Sequence, residues 1–367
     1  MIFVMDRGPH PVYYCPAFSR HSWAGLRRTS FPLSAYSPRM HVTVFSAHAY
    51  EQPFLQAANQ GRHTLHLLPQ ALRPATAGQA RSSEAVAIFA NDDASGPVLE
   101  ALHTLGVRYV AVRAAGHDQV DLAAARRLGL RVATVPDYSP YAIAEHTVAL
   151  LLALSRRLLP GQQQLRRHDF RLDQLVGFDV HGKTVGIVGC GRIGGVLAGI
   201  LHGFGCRLLG HDIQPNPALT ARYGLRYVPL PELCAQADII SLHAPLTPAT
   251  RYLIGAELLA RCKPGTMLLN TGRGSLLDTR AALAALRAGQ LGYLGLDVYE
   301  HEKGLFFEDH SAAPPADPLL AELLAEPNVL VTGHQAFLTR EALRTIAATT
   351  VASLDAWAQH LPAEHEL

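Results

Sequence analysis

The chain has 367 residues, which suits two or three domains at roughly 100–200 residues each. Hydrophobic residues make up 49% and charged residues 17%, a balance that buries globular cores and excludes a mostly disordered chain. The 32 basic and 30 acidic residues leave a net charge of +2, without the basic excess of a protein that neutralises nucleic-acid phosphates.

Residues 1–39 carry five Arg, five Pro and a single acid, Asp6, with no helical or strand period. They read as an N-terminal extension, disordered or preceding a true start at Met40. The competing reading is an Arg-rich targeting peptide. From Met40 the pattern becomes α/β. His41 to Phe45 is a β-branched run, Glu51 to Asn59 suits a helix, and Ala85 to Phe89 is a second strand. Pro97 to Leu105 reads as a helix with Ser95 as its cap. Strand Arg108–Val112, helix Leu122–Leu128 and strand Arg131–Val135 follow. Strands that alternate with helices imply a parallel sheet.

The pattern then predicts a long apolar helix over Ala142–Leu159, ending near Pro160-Gly161. Its leucines occupy more than one face, which predicts a homo-oligomer, a dimer or dimer of dimers. The longest apolar run, Val148 to Leu154, has seven residues, far from the roughly 20 needed to span a bilayer. A second series begins with strand Thr184–Val188, helix Ile193–Phe204 and strand Arg207–His211. Strands Ile239–Leu242, Thr266–Asn270, Gly292–Asp297 and Val329–Thr332 follow, with a helix at Thr279–Ala288 and a closing helix at Arg340–Gln359. The expected fold is two Rossmann-like doubly wound domains with parallel sheets and an active site in the cleft between them. Residues 40–138 plus 338–367 form the substrate domain, and residues 139–337 form the cofactor domain.

The five cysteines (Cys15, Cys190, Cys206, Cys234, Cys262) are odd in number and form no C-x-x-C pair, which fits free thiols in a reducing cytoplasm. No metal site is expected, because His301-Glu302 is followed by Leu305 where a second zinc-binding His would stand.

Gly189-Cys-Gly191-Arg192-Ile193-Gly194 is a G-x-G-x-x-G that follows a strand and opens a helix. Asp212 ends the next strand, 23 residues after Gly189. This order is the dinucleotide fingerprint, with the pyrophosphate placed against free N–H groups at the helix start. Asp212 would accept from the ribose hydroxyls and repel a 2′-phosphate, so NAD is favoured over NADP.

Three further segments follow strands: Asn270-Thr-Gly-Arg-Gly274, Asp297-Val-Tyr-Glu-His-Glu302 and Gly333-His-Gln-Ala-Phe337. Together with Asn91-Asp-Asp93 and Leu305-Phe-Phe-Glu-Asp309, they resemble the D-specific 2-hydroxyacid dehydrogenase family, in particular its fermentative bacterial D-lactate dehydrogenase branch. The resemblance runs from about Met40 to about Leu361. It implies Arg273, Glu302 and His334 as catalytic residues. An Arg can grip the carboxylate of a 2-oxo acid with its planar guanidinium and polarise the ketone. A His can give the ketone oxygen its proton and take it back in the reverse direction. A Glu beside the imidazole favours its charged form.

The resemblance also places Ala244, Pro245, Thr271, Gly272 and Asp297 along the cofactor. It places the backbone N–H groups of Ala114, Ala115 and Gly116 at the substrate carboxylate, and Tyr138 and Phe337 beside the substrate. Gly272 stands where the family more often has Ser or Ala, which implies a looser loop around Arg273. The implied reaction is reversible reduction of pyruvate by NADH to D-lactate. The alternatives are a bulkier 2-oxo acid as substrate, or an NAD-sensing corepressor-like binding protein. No nucleic-acid or membrane partner is expected.

Overall fold

The computed structural model describes residues 39–367; the expectation for the N-terminal extension lies outside them, apart from Arg39. The first lobe runs β1 (His41–Val44), α1 (Gln52–Asn59), β2 (Thr64–Leu67), β3 (Ala85–Ile88), α2 (Gly96–Thr104), β4 (Tyr109–Val112), α3 (Leu122–Leu128) and β5 (Arg131–Ala133). Its five strands are parallel, in the order β2-β1-β3-β4-β5. Every residue of β3 and β4 is buried, because helices cover both faces of a parallel sheet.

The second lobe opens with α4 (Pro140–Ser155) and α5 (Leu158–Leu165). β6 (Thr184–Val188), α6 (Arg192–Gly203), β7 (Arg207–His211), α7 (Pro217–Tyr223), β8 (Arg226–Tyr227), α8 (Leu230–Gln236) and β9 (Ile239–Leu242) follow. The lobe continues with α9 (Ala256–Leu259), β10 (Thr266–Asn270), α10 (Thr279–Arg287), β11 (Leu291–Leu296), α11 (Pro318–Ala325) and β12 (Val329–Val331). The strand order is β12-β11-β10-β9-β6-β7-β8, all parallel. The order reverses between β6 and β9, and the crevice outside that switch point is where open α/β sheets bind ligands.

The closing helix α12 (Arg340–Ala358) returns to the first lobe. Its Trp357 is fully buried and stacks on Tyr109 of β4 at 5.0 Å. Truncating such a residue to Ala costs about 3–5 kcal/mol, so α12 is integral to that lobe's core.

Three sequence expectations change. The long helix does not reach Pro160-Gly161: α4 ends at Ser155, Arg157 turns left-handed (φ 53°), and α5 starts at Leu158. Pro160 falls in the first turn of α5, where its missing N–H costs nothing. Second, Leu150, Leu151 and Leu154 are buried within the chain's own core, so the apolar character of α4 does not by itself call for a partner. Third, Ser95 precedes α2 but its side chain makes no capping bond. By contrast, Ser139 caps α4 by accepting from Ala142 N at 3.1 Å.

Candidate active site

The loops that carry the sequence-derived residues converge on a cleft between the lobes. Its main cavity has about 420 Å³, with Ala115, Gly116 and Tyr138 on one side and Thr271, Arg273 and His334 on the other. A neighbouring cavity of about 360 Å³ extends along Gly191, Arg192, Ile193 and Gly194.

Arg273 follows β10 on a loop tied down by Asn270, which is fully buried. The Asn270 amide donates to Arg273 O at 2.9 Å, and its Oδ1 accepts from Gly272 N at 3.1 Å. These bonds restrain the loop, so the glycine at 272 does not leave it loose. Gly274 is required for a different reason. A Cβ there would lie 2.2 Å from Tyr299 C and 2.4 Å from Glu300 N, so only glycine lets this loop pack on the following strand's exit. The Arg273 guanidinium lies against Gly116 of the other lobe, where a Cβ would sit 1.5 Å from Nη2. Its Nε donates to Asp118 Oδ1 at 3.2 Å and its Nη1 to Gly272 O at 2.9 Å. The N–H groups of Ala114, Ala115 and Gly116 have no acceptor among the described residues. Free backbone donors beside a guanidinium have the chemistry to hold a carboxylate.

His334 follows β12 and is held in the left-handed region at φ 54°, where few non-glycine residues sit. Its Nδ1 lies 2.9 Å from Glu302 Oε1, and Glu302 Oε2 accepts from Tyr299 N at 3.2 Å. Both side chains are mostly buried, which strengthens their interaction over that of an exposed pair. With Nδ1 committed, Nε2 is the nitrogen left for proton exchange with a ligand.

Asp297 lies at the wall of the cleft but is fully buried, and its carboxylate is taken up by neighbouring donors. It accepts from Thr332 Oγ1 at 2.6 Å and from Gln335 N and Ala336 N at 2.9 Å each, so it grips the loop that carries His334. Burial alone would raise its carboxyl, but the bonds from His146, Thr332 and Ala336 prevail and hold it below the usual carboxylate range.

The glycine turn fits a dinucleotide. Gly189 has φ 90°, and a Cβ there would meet Ala244 N at 2.5 Å. A Cβ on Gly194 would meet Gly189 O at 2.1 Å, while nothing lies within 4 Å of the Cβ position at Gly191, so the approach to that backbone is open. Asp212 Oδ2 accepts from Cys190 N at 2.6 Å, and Oδ1 from Gln214 N at 2.8 Å, which fixes the carboxylate over the turn. Ala244, Pro245, Thr271 and Gly272 border the main cavity.

Tyr138 and Phe337 form an aromatic wall with Phe89 and Phe307. Burial pushes the Tyr138 phenol up. Sequence reasoning missed Asp118 and His243, both of which border the cleft. His243 hydrogen-bonds Ser241 at 2.7 Å through Nε2, has no partner at Nδ1 among the described residues, and is pushed down to about 4 by burial, so it stays neutral. Its place just after β9 was the available signal.

The chain is similar to known proteins along most of its length. The family model for the D-isomer specific 2-hydroxyacid dehydrogenase NAD binding domain matches residues 148–336. A 2-hydroxyacid dehydrogenase homolog of Zymomonas mobilis is 46% identical over 310 residues, 84% of this chain and 94% of that protein. The D-lactate dehydrogenase of Escherichia coli is 45% identical over 316 residues, 86% of this chain and 96% of that protein. A solved structure described as the pyruvate reductase of Chlamydomonas reinhardtii superposes with a TM-score of 0.83 at 42% identity, over 89% of this chain and 98% of that one. The chain belongs to the D-isomer specific 2-hydroxyacid dehydrogenases. It is an NAD-dependent oxidoreductase, a D-2-hydroxyacid dehydrogenase.

Proposed function

We propose that this enzyme is a D-lactate dehydrogenase, interconverting pyruvate and D-lactate. The observation that carries the substrate is a cavity of only about 30 Å³ beside Arg273 and His334, walled by Phe89, Tyr138, Phe307 and Phe337. Arg273 and His334 also border the main cavity of about 420 Å³, but this aromatic side pocket has room for only one or two water-sized groups, which favours a methyl over a benzyl side chain there. The similarity to an E. coli D-lactate dehydrogenase supports the same reading.

NADH, when bound, supplies the hydride. Gly189, Gly191, Arg192, Ile193, Gly194 and Asp212 would hold its adenosine and pyrophosphate end, and Ala244, Pro245, Thr271 and Gly272 its nicotinamide end. Asp297 would act on the cofactor only indirectly, since its bonds hold the loop that carries His334. Arg273 and the N–H groups of Ala114, Ala115 and Gly116 bind the substrate carboxylate. Tyr138 and Phe337 shape the methyl side. His334 donates the proton that the ketone oxygen takes up, and removes it in the reverse direction. Glu302 orients the imidazole through Nδ1. The cytoplasmic setting is supported by Cys190, Cys206, Cys234 and Cys262, all free thiols.

The test is NADH oxidation with pyruvate, 2-oxobutyrate, phenylpyruvate and glyoxylate. Pyruvate should give the highest kcat/KM and phenylpyruvate at least about tenfold less, the scale of a misfit in a small apolar pocket. Preference for phenylpyruvate would favour a bulky-substrate enzyme, and failure to turn over any of the four would sink the proposal.

A further inference from the structure

The loops that carry Arg273 and His334 leave different strands, yet neighbouring residues of one helix support both from beneath. Thr147 of α4 is 1% exposed. Its Oγ1 donates to Ile143 O at 2.8 Å and lies 2.8 Å from Thr271 Oγ1. With the Thr147 proton committed to its own helix, the Thr271 hydroxyl is the donor. Thr271 stands two residues before Arg273. The preceding residue, His146, reaches the other loop. Its Nε2 lies 3.1 Å from Thr332 Oγ1 and 3.4 Å from Asp297 Oδ1. Thr332 spends its proton on Asp297, so His146 carries hydrogen on Nε2 and donates to this pair. Asp297 in turn holds the N–H groups of Gln335 and Ala336, and its backbone carbonyl accepts from His334 N at 2.7 Å. A left-handed histidine persists only where its surroundings enforce it.

We propose that His146 and Thr147 are positioning residues: Thr147 fixes the loop of Arg273, and His146 fixes the loop of His334 through Asp297. The proposal rests on the catalytic reading of Arg273 and His334. Neither His146 nor Thr147 borders the cleft cavities, so each is argued to act through the residues it bonds. The titratable groups facing Asp297 are His146 from α4, His334 from the loop after β12 and Tyr138 from the segment before α4. Loss of the His146 donor makes the buried Asp297 carboxyl easier to protonate. The grip on the His334 loop then fails at a higher pH than in the wild type.

The test compares Thr147→Val, Thr147→Ser, His146→Phe and His146→Gln, with Arg273→Lys and His334→Gln alongside. Thr147→Val and His146→Phe should each lower kcat for pyruvate about tenfold, the scale of a lost buried hydrogen bond, with the KM for NADH changed less than about twofold. Thr147→Ser and His146→Gln retain a hydrogen-bonding group and should restore most of the rate. His146→Phe should also move the acid limb of the pH–rate profile upward, and Thr147→Val should not. Wild-type kcat with an unmoved acid limb in both disruptive variants overturns the proposal. So does a loss that Ser and Gln fail to restore, or one matched by collapse of NADH binding and thermal stability, since that assigns the pair to folding alone. Full activity in Arg273→Lys and His334→Gln would instead overturn the catalytic reading, and the proposal with it.

Discussion

Glu302 Oε1 lies 2.9 Å from His334 Nδ1, although the two residues stand 32 positions apart and follow different strands. A carboxylate at that distance holds the ring through Nδ1 and leaves Nε2 to the substrate. Glu302→Gln removes the charged acceptor, so kcat for pyruvate should fall about tenfold, the scale of a lost charge-assisted hydrogen bond, with the KM for NADH nearly unchanged. His334→Gln should lower the rate much further, because the proton donor itself is gone. Wild-type kcat in Glu302→Gln would remove Glu302 from the working site.

Asp212 is fixed over the glycine turn by Cys190 N and Gln214 N, and the proposed cofactor mode assigns it to the ribose hydroxyls. Asp212→Ala should weaken NADH binding and reduce the preference over NADPH about tenfold, the scale of a charged hydrogen bond. The ratio of kcat/KM for the two cofactors measures this. An unchanged ratio would refute the ribose assignment.

Gly274→Ala tests the packing of the Arg273 loop on the backbone of Tyr299 and Glu300. The added methyl meets main chain, which cannot swing aside as a flexible side chain could. The variant should lose about 1–3 kcal/mol of stability and displace Arg273 from Gly116. Thermal melting and kcat/KM for pyruvate should both fall. Wild-type values for both would show that the loop has slack.

We propose that oligomerisation uses the stretch around α5, not the leucines of α4. Phe170, Leu172 and Val176 are 70%, 73% and 80% exposed, with Leu158 and Leu165 also exposed nearby in sequence. Large apolar side chains left exposed within one short stretch of chain are the kind of residue an interaction surface buries. Light scattering at micromolar concentration should give a dimer or larger, and Phe170→Asp with Val176→Asp should shift the mass toward monomer. A monomeric wild type would refute the idea.

Much of the fold was legible because buried parallel strands read as continuous apolar runs, as in β3, β4 and β6. β2 and β8 were missed. β2 is a partly exposed edge strand, and β8 spans only two residues. The break at Arg157 was hidden by apolar residues on both sides, since nothing in a hydrophobic pattern marks one left-handed residue. Arg273, Glu302 and His334 were legible as motifs at strand ends, and the structure brings Glu302 and His334 into contact. Asp118, His146 and Thr147 were not legible. Their partners lie 155, 186 and 124 positions away in sequence, so only the folded chain shows what they touch.

The account stands most directly on kcat/KM for pyruvate in Arg273→Lys. Arg273 offers a planar guanidinium beside the free N–H groups of the first lobe, and Lys supplies the charge without that geometry. The account predicts a loss of at least about 100-fold, the scale expected when an interaction made in the transition state is removed. A value near wild type would contradict the carboxylate-binding role of Arg273, and with it the site as described.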